Sequence, residues 1–185
     1  MVDNTADVVK EVAGAGNDTV LTSVNYTLGA GQSIETLATA SATAGAIRLT
    51  GNELSQAIIG NTRANFINGA GGNDTLTGGG GADTFVFNTA LSATGNVDRI
   101  TDFDPTVDKI SLAKSIFSAL GNTGVLSAAA FFQGPAAHDA DDRIIYNSST
   151  GALSYDSNGN AAGGSTVFAT LAPNLTLHAA NFLVS

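Results

Sequence analysis

Four side chains recur at a spacing of nine, Gln56, Asn65, Asp74 and Asp83, each at the sixth position of a glycine-rich block; the blocks run without a gap from Gly51 to Val86. All four offer oxygen. The last two blocks read GAGGNDTLT and GGGGADTFV, so acids or amides and turn carbonyls alternate in fixed register. Oxygen donors at this density, in a chain with no Cys and two His, suit Ca²⁺ rather than zinc or copper.

For that chemistry the acids must be brought together by the elements around them. The first five or six residues of each of the last two blocks are too glycine-rich for a helix or strand interior but suit a turn needing positive φ. The three that follow, such as Thr75-Leu76-Thr77, alternate polar and apolar like a short strand with one buried face. The eighth position carries Ile58, Ile67, Leu76 and Phe85. One apolar side chain per unit cannot be buried alone, so the units must stack into a solenoid in which those side chains form a ladder. Stacking brings the turns of alternate blocks together: Asp74 is expected to face Gln56, and Asp83 to face Asn65.

These blocks resemble the nonapeptide G-G-x-G-x-D-x-U-x of the RTX (repeats-in-toxin, hemolysin-type calcium-binding) family. Further on, DRITDFDPTVDKISL looks like the segment that follows the last nonapeptide in serralysin-type C-terminal domains. DRIIYNSSTGALSYDSNGN is similar to the paired strands and acidic loop near the end of many proteobacterial members. The resemblance implies several calcium ions, each between two turns and held by sixth-position carboxylates and carbonyls of the first four positions. Carried over, Gly69, Ala70, Gly72 and Asp74 form one half-site, and Gly78, Gly79, Gly81 and Asp83 another. Asn52, Leu54 and Gln56 oppose the first, and Asn61, Arg63 and Asn65 the second, without charge from the amides; Arg63 could stand in for a cation. Asp98 and Asp102, spaced to share one face of a strand, are expected to close a final site above Asp83. Asp18, in the separate unit AGAGNDTVL, is expected to bind calcium with Asp3 or Asp7. Asp156 and Asn158 have the alternating oxygen spacing of a short calcium loop, or of a plain hairpin.

The expected fold is all-β: a parallel β-roll (β-solenoid) with a C-terminal β-rich cap and one or two short helices. Residues 1–50 read as wider solenoid coils, 51–87 as the tandem roll, and 88–185 as the cap. Helices are expected at Ser111 to Leu120, where Leu112, Ile116 and Leu120 share one face, and as a turn over Ser127 to Phe132. Ala38 to Ala46, nearly all small residues, is either a linker or a packed coil.

A net charge of −9 argues against nucleic acid and anionic membranes as partners and in favour of cations. The N-terminus has no basic-then-apolar leader, no segment approaches transmembrane length, and Val2-Asp3 opens inside what looks like a repeat. The chain is therefore expected to be the tail of a longer protein with an N-terminal cargo domain. Motifs for zinc hydrolases, serine hydrolases and phosphate loops are missing, so it reads as a non-enzyme. From Ile144 to Ser185 the only formal charge is Asp156, and the ending NFLVS resembles the uncleaved signal read by type I (ABC) exporters. The expected role is a secreted, extracellular bacterial calcium module, disordered without calcium, folded on binding it, and carrying the export signal. An adhesin or carbohydrate-binding module is the alternative; it needs exposed aromatics, for which Tyr26, Tyr146 and Tyr155 are candidates. Self-cleavage at Asp104-Pro105 is a third reading.

Overall fold

The computed structural model describes residues 1–11, 14, 16–40 and 45–185. Its strands, in chain order, are β1 (Thr19–Thr22), β2 (Tyr26–Thr27), β3 (Thr36–Thr39), β4 (Arg48–Thr50), β5 (Ala57–Ile59), β6 (Phe66–Asn68), β7 (Thr75–Thr77) and β8 (Thr84–Phe87). There follow β9 (Asp98–Ile100), β10 (Lys109–Leu112), β11 (Gly124–Val125), β12 (Phe131–Gln133), β13 (Ile144–Asn147), β14 (Ala152–Asp156), β15 (Ser165–Thr170) and β16 (Phe182–Val184). Up to β10 successive strands alternate between two sheets, one ordered β1-β3-β5-β7-β9-β15-β14-β13-β12 and the other β11-β16-β10-β8-β6-β4-β2. Up to β10 every pairing in both sheets is parallel, which is the β-roll expected from the repeats.

One ladder of the core runs Leu37, Ile58, Leu76, Ile100, and the facing ladder Leu49, Ile67, Phe85, Ile110, Phe182; each is a run of direct partners on neighbouring strands, fully or almost fully buried. The period is visible in the burial itself: in β5, β6 and β7 only the middle residue is buried. Three-residue strands survive because each is paired on both sides and its apolar residue lies on the one before it.

Coil architecture continues past Phe87, since β9 pairs with β7 and β10 with β8. The nine-stranded sheet then turns antiparallel through β15, β14 and β13, over a packed aromatic group in which Phe168 stands edge-on to Phe87 and Phe117. The last strand, β16, lies between β10 and β11.

Two expectations need correction. Ser111 to Leu120 is not a helix: Ile110 to Leu112 pair in parallel with β8 on one side and β16 on the other, and Ala113 to Leu120 follow as turns that bury Phe117 and Leu120. Pairing on two edges satisfies the backbone that a helix would have satisfied locally, so the four-residue spacing reflects packing, not helical period. The turn over Ser127 to Phe132 shrinks to a three-residue 3-10 turn, Ala128–Ala130, running directly into β12. Of the small-residue stretch Ala38 to Ala46, positions 41–44 lie outside the described residues, as do 12, 13 and 15 in the AGAGNDTVL unit.

Candidate metal centre

The roll stacks its turns in two columns, one leading into each sheet. In the first, the residue just before the strand is Asp18, Glu35, Gln56 and Asp74, and Asp98, which opens β9, takes the same place; in the second it is Asn65, Asp83 and then Asp108. Each acid reaches back one coil to a backbone N–H. Gln56 N–H donates to Asp74 Oδ1 at 2.7 Å and Asn65 N–H to Asp83 Oδ1 at 2.7 Å, both across 18 residues. Asp74 N–H donates to Asp98 Oδ1 at 3.1 Å, Asp83 N–H to Asp108 Oδ1 at 2.8 Å, and Asp18 N–H to Glu35 Oε2 at 2.7 Å. The facing of Asp74 with Gln56 and of Asp83 with Asn65 is as the period requires.

The second oxygen is used as well in Glu35, by the Ser33 hydroxyl, and in Asp108, by the Asp104 N–H, but not in Asp74. Asp74 Oδ2 is buried without any hydrogen-bond partner. It points at Gly69, whose missing side chain is what makes the space: a Cβ there would overlap Asp74 Oδ2 and come 2.9 Å from Asp98 Oδ2. The same cradle recurs at Gly78 against Asp83 Oδ2, at Gly51 against Gln56 Oε1 and the Gly69 carbonyl, and at Gly60 against Asn65 Oδ1 and the Gly78 carbonyl. Oxygen from a side chain and a carbonyl, converging on a spot only glycine leaves free, is a donor set for a hard cation with oxygen preference.

The electrostatics agree. Burial pushes Asp83 up to about 6, with the Asp108 and Asp102 charges adding to the rise. Burial likewise raises Asp74 and Asp98, which face each other, and Asp108. Paired carboxylates in such a place either hold protons or need a positive charge between them.

The two amide turns are closed differently. The Gln56 side chain accepts Asn52 N–H at 3.1 Å and donates to Asn52 Oδ1 at 2.7 Å, while the Asn52 amide donates to the Gly29 and Gln32 carbonyls of the coil before. Asn65 Oδ1 accepts Asn61 N–H at 2.8 Å. Here amide N–H groups fill the place that a cation would take.

The carbonyl positions expected from the resemblance also divide. Gly72 and Gly81 leave no room for a Cβ against the Leu54 carbonyl and the Arg63 peptide, and Gly79 lies against the Asn61 carbonyl, so the turns do stack face to face. The Ala70 carbonyl accepts the Thr89 hydroxyl. Arg63 is exposed on its turn.

Asp98 and Asp102 do not close a site together above Asp83. β9 ends at Ile100 and the chain turns, so Asp98 joins Asp74 in the first column, while Asp102 in the second receives the Gly78 and Gly79 N–H groups at 2.9 and 2.7 Å. The acid above Asp83 is Asp108, which sequence reasoning missed because the coil there spans 25 residues rather than 18. Asp18 likewise meets Glu35 of the following coil, not Asp3 or Asp7, of which Asp7 accepts the Asp3 N–H. Asp18 Oδ2 is buried and unpartnered, and burial, then Glu11 and Glu35, push its carboxyl up. Asp156 and Asn158 lie in the cap, outside both columns. Asp104 Oδ1 accepts both the N–H and hydroxyl of Thr106, which holds its carboxyl below the usual range. Among the described residues His138, Asp139 and Asp142 bring ligand atoms within 4.8 Å of one another, but Asp142 Oδ2 already closes its loop on the His138 and Asp139 N–H groups.

Residues 50–87 match the RTX calcium-binding nonapeptide repeat family in four copies. No curated protein matches the chain.

Proposed function

We infer the function from one premise: through residues 50–87 this chain belongs to the RTX hemolysin-type calcium-binding family, whose repeats bind several Ca²⁺ ions. The acids assigned here to those ions are Asp74 with Asp98 in the first column and Asp83 with Asp108 in the second. The carbonyls of Gly69 and Gly78 add to the oxygen set, while the turns of Gln56 and Asn65 are closed by their own hydrogen bonds; Asp18 with Glu35 forms an outlying site. The unpartnered Asp74 Oδ2 in the Gly69 cradle is the observation that carries this reading.

Bound calcium supplies the charge that the facing carboxylates lack. In its absence Asp74 opposes Asp98 and Asp83 opposes Asp108, while three-residue strands bury too little apolar surface to offset the entropy of ordering the chain. The module is then disordered in a compartment poor in calcium and folds where calcium is near millimolar. Each filled site contributes RT ln(1 + [L]/Kd), about 2.7 kcal/mol at a hundredfold excess, so coupled sites switch the fold together. A chain that stays unfolded until it meets calcium is suited to export, and the uncharged C-terminal end is assigned as the type I exporter signal of a larger secreted bacterial protein. In the folded module that same end is β16, so it is read before folding and packed afterwards. The serralysin-like segments fall on β9–β10 and β13–β14, where they complete the second column and the cap.

Burial of Tyr26, Tyr146 and Tyr155 removes the stacking platform that a glycan-binding reading would use. Calcium titration followed by circular dichroism, with magnesium as control, tests the folding claim: a cooperative rise in β signal with calcium alone is expected. Export of a reporter fused ahead of Met1, with and without residues 182–185, tests the signal.

A further inference from the structure

The hairpin joining β14 to β15 gathers oxygens around a point remote from both columns of turns. Asp156, the last residue of β14, is 4% exposed, and its Oδ1 accepts the Asn158 N–H at 3.1 Å. Among the described residues it has no ion-pair partner; Arg143, whose carbonyl accepts the Asp156 N–H at 2.7 Å, turns its guanidinium to the Ala140 and Asp142 carbonyls. One arm of the Asn158 side-chain amide lies 2.8 Å from Asp156 Oδ1, 2.9 Å from the Gly163 carbonyl and 3.3 Å from the Ala161 carbonyl. With nitrogen in that arm, two hydrogens serve three acceptors and the buried negative charge stays uncompensated. With oxygen there, four oxygens face one another, an arrangement that only a cation holds together.

Space for an ion and its water adjoins this point, in a cavity of about 250 Å³ lined by Asp156, Gly159, Asn160, Ala161, Gly163 and Ser165. Gly163 and Gly164 both take left-handed backbone (φ +78° and +85°), and a Cβ on Gly164 would overlap the Asn158 side chain. The hairpin is fastened to the loop before β13, since Asn160 N–H donates to the Asp139 carbonyl at 2.9 Å and its amide to the His138 carbonyl at 3.3 Å. Gly159, also left-handed, lies against the Ala140 and Asp139 carbonyls with no room for a side chain.

We propose that this hairpin is a separate divalent-cation site, suited to Ca²⁺, formed by Asp156 Oδ1, the Asn158 side-chain oxygen and the Ala161 and Gly163 carbonyls, with water completing the shell. It shares no residue with the roll. One formal charge places it among the weakest calcium sites, of about 10⁻⁴ to 10⁻³ M, so it fills after the roll and ties the hairpin and the 138–142 loop together at the far end of the nine-stranded sheet.

Hydrogen exchange on the intact chain tests this, with calcium raised beyond the concentration that completes the circular dichroism transition. Added protection of about tenfold is expected in residues 157–164, absent with magnesium and absent in Asp156→Asn. Asn158→Asp is the deciding variant. It adds a carboxylate, so calcium should protect the hairpin at about tenfold lower concentration. If the amide merely donates to the three oxygens, Asn158→Asp loosens the hairpin and calcium does not restore it. Exchange in 157–164 that ignores calcium in both the unmodified chain and Asn158→Asp overturns the proposal, whatever Asp156→Asn does to folding. A hairpin that responds while the dichroism does not would sink the reading of the roll and leave this site standing.

Discussion

The turns at 51–56 and 60–65 and the turns at 69–74 and 78–83 have the same length, the same glycine at the first position and the same strand after them, yet they are held by different chemistry. In the earlier pair the sixth-position side chain is an amide that completes its own turn with hydrogen bonds, as Gln56 does with Asn52. In the later pair it is a carboxylate that spends one oxygen on the coil before and leaves the other facing a glycine. The backbone differs too. Positions two and four are left-handed at Ala70, Gly72, Gly79 and Gly81, while Asn52, Leu54, Asn61 and Arg63 keep negative φ. One side-chain atom, nitrogen or oxygen, thus separates coils that close by themselves from coils that wait for an ion.

Removing calcium is the strongest way to break this comparison. A chelator should abolish most of the β signal, and on re-addition residues 51–112 should gain exchange protection together, because β5 pairs with β7 and β6 with β8. A chelated sample with an unchanged spectrum and melting point would end the account. Acid comes next. Without calcium, burial raises Asp83 to about 6 from 3.8 and raises Asp74 and Asp98, so the folded roll holds protons that the unfolded chain releases. The Asp83 part of that stabilisation is complete below about 3.8 and lost as pH climbs through about 6, and the Asp74 part is lost higher, through about 8. The calcium-free chain should therefore gain structure on acidification, while calcium affinity falls over the same window; a dichroism series at fixed chelator measures the first and calorimetric titration the second.

Gly69→Ala should act almost as strongly as losing a ligand, because its Cβ enters the space shared by Asp74 and Asp98. A cost of about 1–3 kcal/mol is expected, read as a higher calcium midpoint. Gln56→Glu sharpens the contrast from the other side by placing a carboxylate opposite Asp74. It should leave the calcium-free chain less ordered and raise the calcium dependence of folding, measured as a steeper titration. The smallest effect is at Arg48, whose guanidinium lies 4.7 Å from the centre of the Phe66 ring on an outer face of the roll. Arg48→Ala should cost about 0.5–1 kcal/mol in the calcium-saturated melt and raise the calcium midpoint only slightly.

Where the chain keeps its period of nine, position alone decides which residues meet, so Ile58, Ile67, Leu76 and Phe85 and the partners Gln56 and Asn65 are legible in the sequence. Where the coil lengthens, spacing stops being informative. Asp98 lies 24 residues from Asp74 and Asp108 lies 25 from Asp83, and nothing local distinguishes those acids from Asp102, which caps a turn instead. Glu35 was hidden for the same reason, sitting 17 residues from Asp18 in a stretch with no glycine register. The absent helix at Ser111 to Leu120 shows the other limit: partners for β10 come from β8 and from the far C-terminus, beyond the reach of any local pattern.

The seating of β16 has a consequence for the order of folding. One edge of β10 stays bare until residues 182–185 arrive, with Ser185 joined to Ser111 across 74 residues and to Leu112 and Lys114 by its main chain. In calcium, a chain cut before residue 182 should therefore fold with that edge of β10 left open.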